Sequence, residues 1–258
     1  MKRLWIFLIV ISAWGLILLG PHGADAQSVG RIVFLTAKPG VKAQLEQAIR
    51  AQMEWRRQQQ DEWRWTVWEY VTGSSQGRYA IATFGHNWGD FDTPKVVPWV
   101  EEADNGSLAA LCETAPIVQY FEHMDRVSRA GEGNQVPNLA ELVVFQLHFG
   151  KSAQFYETLP KFAQVMDKYK PSVRFEWFEL LDGGETPLFM VIVPQANWSG
   201  FEKLKESVMD QMVLMMGKQK ALAVLNRMGA SVKSQRRDLV RLRQDLSSPG
   251  TPPPAPGK

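Results

Sequence analysis

The spacing of apolar residues changes along the chain and divides it into predicted strands and helices. Residues 31–37 are apolar and β-branched, which predicts a strand. Residues 41–60 place apolar side chains on one face of a predicted helix, and its other face is charged and rich in glutamine. An aromatic segment at 63–72 and a strand at 79–84 flank a glycine-rich turn and predict a β-hairpin.

The remainder of the chain follows the same order of predicted elements. A second helical region begins at Asn87 or Asp90 and is broken by prolines, and a strand at 117–127 completes the first half. The second half is predicted to contain strands at 140–149, 173–181, 188–193 and 235–243 and helices at 152–169 and 199–228. This common order indicates an internal repeat.

Identical residues recur at a constant offset of 110 positions, and they fall at predicted turns and element ends. They include Gly40 and Gly150, Gly73 and Gly183, Asn87-Trp88 and Asn197-Trp198, and Phe91 and Phe201. Apolar positions between them also correspond, as Ile81 and Val191 do. We therefore predict two similar modules, at 27–130 and 139–246, joined by a linker at 131–138.

The two ends of the chain differ in composition from these modules. Residues 1–26 combine basic residues, a long apolar run and small residues before a predicted cleavage between Ala26 and Gln27. This pattern predicts an exported protein, periplasmic or secreted, and the alternative is an uncleaved N-terminal membrane anchor. No membrane association is expected after cleavage. Residues 247–258 are rich in proline and glycine and predict a disordered tail.

Each module reads as β-α-β-β-α-β, the order of the ferredoxin-like α+β unit, with both helices on one face of an antiparallel sheet. Both faces of the aromatic strand at 63–72 carry large apolar groups. The sheet face opposite the helices must therefore also be buried. Two such sheets packed face to face would supply it.

At this level the chain resembles the dimeric α+β-barrel superfamily, in which two ferredoxin-like units pack sheet on sheet. It is most similar to the antibiotic-biosynthesis-monooxygenase-like and NIPSNAP-like branches, in a tandem form in which one chain supplies both halves. The resemblance covers about residues 29–245 and rests on the element order, the hairpin glycines and the repeated Asn-Trp-x-x-Phe segment. It implies a fold, because the superfamily includes enzymes, haem-handling proteins and proteins of unknown role.

The repeated Asn-Trp pair and its neighbour His86 are the candidate ligand-binding residues. These are His86, Asn87, Trp88, Asn197 and Trp198. One interpretation makes each asparagine a helix N-cap and each tryptophan an anchor on the sheet. The other places them at the mouth of a pocket, as the resemblance to cofactor-free monooxygenases implies. The second half has Ala196 where the first has His86, so chemistry that needs the histidine would belong to one half.

Composition and sequence motifs limit the kinds of ligand that the chain is expected to bind. The net charge of +2 does not favour nucleic-acid binding. The histidine and cysteine spacings predict no metal site, and no cofactor-binding motif is present. Cys112 is expected to be a buried thiol. The basic residues Lys233, Arg236, Arg237, Arg241 and Arg243 are expected to mark a solvated edge strand.

These patterns predict a protein that binds a small apolar or aromatic ligand or has a structural role. The alternative is a cofactor-independent monooxygenase-like or haem-binding enzyme with its pocket near His86, Asn87 and Trp88. A third hypothesis is association into a homo-oligomer through exposed sheet edges.

Overall fold

The computed structural model describes residues 28–92, 108–129, 137–169, 173–202 and 206–248. The predicted signal peptide with its cleavage site, most of the linker, the proline-containing segment at 93–107 and nearly all of the C-terminal tail lie outside these ranges. Among the described residues no helix is long and apolar enough to span a bilayer.

The strands of the described chain form one closed antiparallel barrel within an α+β fold. They are β1 Val29–Leu35, β2 Thr66–Tyr70, β3 Tyr79–His86, β4 Ile117–His123, β5 Leu139–Leu147, β6 Glu176–Asp182, β7 Leu188–Gln195 and β8 Val232–Leu242. Their order around the barrel is β1-β3-β2-β8-β5-β7-β6-β4, and β4 closes the circle onto β1.

Helices cover the outer face of the barrel. They are α1 Lys42–Gln58, α2 Ser152–Tyr156, α3 Leu159–Tyr169, α4 Val208–Met216 and α5 Lys218–Gly229. The helix predicted at 152–169 is therefore two helices, and Pro160, which has no N–H to donate, lies at the start of the second. The long helix predicted at 199–228 is also interrupted, because Gly217 adopts φ +83° between α4 and α5.

Strand pairing has the same pattern in the two halves of the barrel. Arg31 of β1 faces Thr83 of β3 and Tyr120 of β4. Glu141 of β5 faces Val193 of β7 and Leu239 of β8 in the same manner. The order within the halves is likewise β4-β1-β3-β2 and β8-β5-β7-β6.

The core has a central part and two outer parts. Every strand contributes to the apolar cluster inside the barrel, which includes Ile32, Phe121, Phe178 and Met190. Alternate residues of the same strands point outward and pack against the helices, as Val33 does against α1 and Val143 against α2 and α3. The barrel interior is therefore filled by side chains, and space for a functional site lies on the outside.

The basic strand β8 is not an edge strand, and that prediction is wrong. It pairs with β2 on one side and with β5 on the other. Since the described strands form a closed circle, they leave no open edge through which copies of the chain could associate. Closure satisfies the backbone N–H and C=O groups that an edge strand would present to solvent. Cys112, in contrast, is buried as expected.

Candidate functional site

His86 lies at the end of β3 and is the buried member of the predicted candidate residues. Its side chain is 8% exposed, and Nε2 lies 2.6 Å from Thr83 Oγ1. The indole of Trp63, which precedes β2, stacks on the imidazole with ring centroids 3.8 Å apart. His86 is thus fixed in the ring plane by Thr83 and on one face by Trp63.

Further aromatic rings extend this contact into a cluster. Phe91 meets His86 edge-on at 5.6 Å and also contacts Tyr120 of β4 at 5.3 Å. Trp88 lies 5.1 Å from Tyr120 and is 44% exposed. We call Trp63, His86, Trp88, Phe91 and Tyr120 the aromatic cluster. Its inner end is a buried imidazole and its rim is an exposed indole.

Burial determines the protonation of His86. Desolvation lowers the pKa of His86 below its usual 6.5, and Asp90 and Asp61 oppose this shift only in part. The imidazole is therefore neutral near pH 7. In the tautomer whose Nε2–H donates to Thr83 Oγ1, Nδ1 is the nitrogen that accepts a proton.

Asp61 stabilises the loop that carries Trp63 of the aromatic cluster. Its carboxylate accepts hydrogen bonds from the backbone N–H of Trp63 at 2.9 Å and from Trp65 Nε1 at 3.0 Å. It also pairs with Arg56 Nη1 at 2.8 Å, and the Arg56 side chain is 1% exposed. The Arg56 guanidinium stacks over the Trp65 ring at 4.3 Å. These contacts fix the loop that presents Trp63 to His86.

A cationic side chain borders the aromatic cluster. Arg31 lies between Thr83 and Tyr120 in the strand register, on the outer face of the barrel. Its Nε is buried and has no hydrogen-bond partner among the described residues. Burial lowers the pKa of Arg31, and Tyr120 opposes that shift.

The corresponding region of the second half has a different chemistry. Ala196 replaces His86, and Trp198 is 52% exposed, with a ring contact to Phe201 at 5.8 Å. Asn197 precedes a short 3-10 helix but its side chain makes no capping hydrogen bond, and its Oδ1 instead accepts from Ser199 Oγ at 2.6 Å. The capping interpretation is therefore wrong for Asn197. Of the predicted candidates, the structure brings His86 and Trp88 into one cluster and places Trp198 elsewhere.

Asn87 is exposed beside the aromatic cluster. Its backbone N–H donates to Asp90 Oδ2 at 2.7 Å, and this contact holds the turn that carries Trp88. Asn87 contributes to the site through the backbone.

The contacts of His86 do not favour haem ligation through its Nε2. An axial ligand needs a ring nitrogen directed at the iron. His86 Nε2 is engaged by Thr83, and Trp63 covers one ring face. His123 Nδ1 lies 2.6 Å from Asp125 Oδ1, whereas its buried Nε2 lies 3.4 Å from Glu176 Oε2 without a hydrogen bond among the described residues. In the described ranges no group of three or more His, Cys, Asp or Glu side chains could hold a metal ion.

Sequence reasoning did not identify Arg31, Thr83, Tyr120 or Trp63 as site residues. One feature of the sequence could have identified Arg31 as a site residue: it is a charged residue at the start of an otherwise apolar strand. Thr83 gave no such signal, because a regular strand does not bring residues three positions apart together, and Gly85 turns the backbone here. Tyr120 gave none, because it meets Trp88 only after β3, β1 and β4 have paired.

Comparison with known proteins places this geometry in a structural context. No family model and no curated protein sequence matches the chain. Among solved structures, an anthrone oxidase-like protein superposes with a TM-score of 0.57 at 11% identity, over 91% of this chain and 98% of that one. A Lactobacillus acidophilus NCFM protein provisionally named a monooxygenase gives 0.53 at 11% identity, over 86% and 96% of the two chains.

A chlorite dismutase variant from Candidatus Nitrospira defluvii also superposes, with a TM-score of 0.53 at 8% identity over 86% of this chain and 93% of that one. Identities this low concern the fold and leave the chemistry of each site to its own residues. The chain shares the fold of these solved structures.

Proposed function

We propose that the chain binds a small planar aromatic molecule at the aromatic cluster. The observation that carries this proposal is the set of rings around a buried imidazole, with Trp88 exposed at the rim. Small-molecule sites are lined mainly by apolar and aromatic side chains with a small number of directed polar groups. An exposed indole beside such side chains offers a further ring face for stacking.

The proposal concerns the first half of the barrel. We also propose that the two halves are ferredoxin-like repeats, which their matching strand registers support. On this view Ala196 and the solvent-exposed Trp198 mark the half that has no such site. The second half then serves as an internal control for the first.

Calorimetric titration with 2-naphthoate and its neutral isostere 2-naphthamide tests the binding. We expect saturable binding of at least one of the two probes to the wild-type chain. Trp88→Ala should weaken it about 10-fold, because a stacking surface is lost. The matched variant Trp198→Ala removes an exposed indole from the other half and should leave binding unchanged. Binding of neither probe, or equal losses in the two variants, contradicts the proposal.

A second candidate function is cofactor-independent oxidation of an anthrone-type aromatic ketone by molecular oxygen. The lowered pKa of His86, caused by burial, favours it, because a neutral imidazole is a general base near pH 7. The fold of an anthrone oxidase-like protein supports anthrone as the probe. His86 would take the substrate proton, and O₂ would convert the anthrone CH₂ group to the anthraquinone carbonyl and release one water.

Oxygen uptake and anthraquinone absorbance measure this reaction above the rate in buffer alone. His86→Gln should lower the catalysed rate about 100-fold. His123→Gln alters a histidine outside the aromatic cluster and should leave the rate unchanged. A wild-type rate no greater than that in buffer contradicts oxidation of anthrone and leaves the binding proposal to its own titration.

A further inference from the structure

Arg31 borders the aromatic cluster on two sides. It faces Thr83 across one strand pair and Tyr120 across the other. Thr83 holds His86, and Tyr120 contacts Trp88 and Phe91. Side chains directly opposite each other on adjacent strands are neighbours, with Cβ atoms about 5 Å apart. A ligand stacked among these rings would therefore lie beside the Arg31 guanidinium.

The charge of Arg31 is not balanced by a carboxylate among the described residues. Arg31 makes no ion pair within that part of the chain, and its buried Nε lacks a hydrogen-bond partner. Arg56, which is close enough to interact electrostatically with Arg31, carries the same charge and is already paired with Asp61. A partly buried guanidinium is costly unless it meets an acceptor.

The equivalent position in the second half is balanced. Glu141 has the place in β5 that Arg31 has in β1, and Arg237 Nη1 donates to its Oε1 at 3.1 Å. The unbalanced charge therefore occurs in the half that contains His86 and the aromatic cluster. This coincidence is what a ligand-directed arginine requires, whereas a purely structural arginine would be expected to have a protein partner.

We infer that the ligand is an aromatic anion, a planar ring system bearing a carboxylate or another acidic oxygen group that pairs with Arg31. The inference rests on the proposed binding function and specifies its ligand class. The guanidinium donates to a carboxylate in a planar, charge-assisted geometry that a neutral amide does not reproduce. The rings of the cluster would hold the aromatic part while Arg31 selects the acidic group.

The same two probes test this inference, since 2-naphthoate and 2-naphthamide have nearly the same shape and differ in charge. We expect the wild-type chain to bind the carboxylate on the order of 10-fold more tightly than the amide. Arg31→Gln should abolish that preference by weakening carboxylate binding and leave amide binding unchanged. Arg31→Lys, which keeps the charge, should retain part of the preference.

Glu141→Gln changes the equivalent position in the other half and should leave both affinities as in the wild type. Circular dichroism of each variant checks that the barrel is folded. Equal wild-type affinities for the two probes, or a preference that survives Arg31→Gln, overturn the inference while the binding proposal stands. Binding of neither probe overturns both.

Discussion

Thr83 Oγ1 and His86 Nε2 are 2.6 Å apart at the end of β3, and this contact fixes the one buried histidine of the aromatic cluster. The two residues are three positions apart in sequence, yet Thr83 points outward from a regular strand while His86 follows Gly85, whose φ is +84°. That glycine turns the backbone so that the imidazole folds back onto the outer face. The site is therefore formed where the strand ends.

The lowered pKa of His86 predicts a pH-dependent stability. Because burial favours the neutral ring, the unfolded chain binds a proton more readily than the folded one. The free energy of unfolding should therefore fall as the pH falls from 6.5 towards the lower pKa of the folded state. Urea unfolding between pH 5 and 8 should show a smaller slope below 6.5 for His86→Gln than for the wild type.

His123 has a pKa shift in the opposite direction and serves as a control for His86. Burial lowers the pKa of His123, but the facing carboxylates of Glu176 and Asp125 raise it by more, so the net shift is upward. Its stabilising contribution is complete below 6.5 and is lost as the pH rises through the raised pKa. His123→Gln should therefore flatten the profile above 6.5. Identical profiles for the two variants would contradict both assignments.

Asp61 is expected to be important for stability as well as for the site. Asp61→Asn removes the carboxylate that faces the buried Arg56 guanidinium, and we expect a loss of about 3 kcal/mol in the free energy of unfolding. Glu54→Gln is the matched control, because the Glu54–Arg57 pair on the same helix is exposed. Its effect should stay within about 0.5 kcal/mol. Chemical denaturation of both variants measures the difference.

Gly183 combines a left-handed backbone with a close contact. Its φ is +87°, and a Cβ there would lie 2.1 Å from the carbonyl oxygen of Val118 on β4. Gly183→Ala should therefore cost more than about 2 kcal/mol. Gly40→Ala has a similar φ of +79° with nothing within 4 Å and should cost only about 1 kcal/mol. Equal losses would show that the contact with β4 is unimportant.

Glu122 and Glu179 face each other directly between β4 and β6. Burial, followed by the charge of Glu122, raises the pKa of Glu179 above its usual 4.5. Stability should fall as the pH rises from 4.5 through that raised pKa, because burial, and to a smaller extent the charge of Glu122, opposes ionisation of Glu179 in the folded chain. Glu122→Gln should increase the free energy of unfolding at pH 7 by about 0.5 kcal/mol.

The equivalent pair between β2 and β8 tests the sign of that effect. There Glu69 faces Arg241 and also pairs with Lys42 and Arg243. Glu69→Gln should therefore lower stability at pH 7. A loss of stability in both variants would contradict the repulsion between Glu122 and Glu179.

Local sequence pattern was sufficient for much of the fold. The apolar runs at 31–37 and 79–84 and the helical spacing in 41–60 predicted β1, β3 and α1 within a few residues. Such patterns depend on neighbours along the chain, which is why they are readable. The basic strand at 235–243 was misread as an edge for the same reason. Its own residues do not reveal that Leu242 pairs with Trp68 in the other half.

The site, like the fold, was predictable from the sequence only where it depends on residues that are close together along the chain. The sequence by itself determined the barrel-forming strands, the repeated glycines and the presence of a histidine in one half only, because each is a property of a residue and its near neighbours. Tertiary structure alone decided that His86 is buried against Trp63, that Trp88 stands at the rim and that Arg31 lies beside both Thr83 and Tyr120. Burial, stacking and unbalanced charge arise between segments far apart in sequence, so they exist only once the strands have paired.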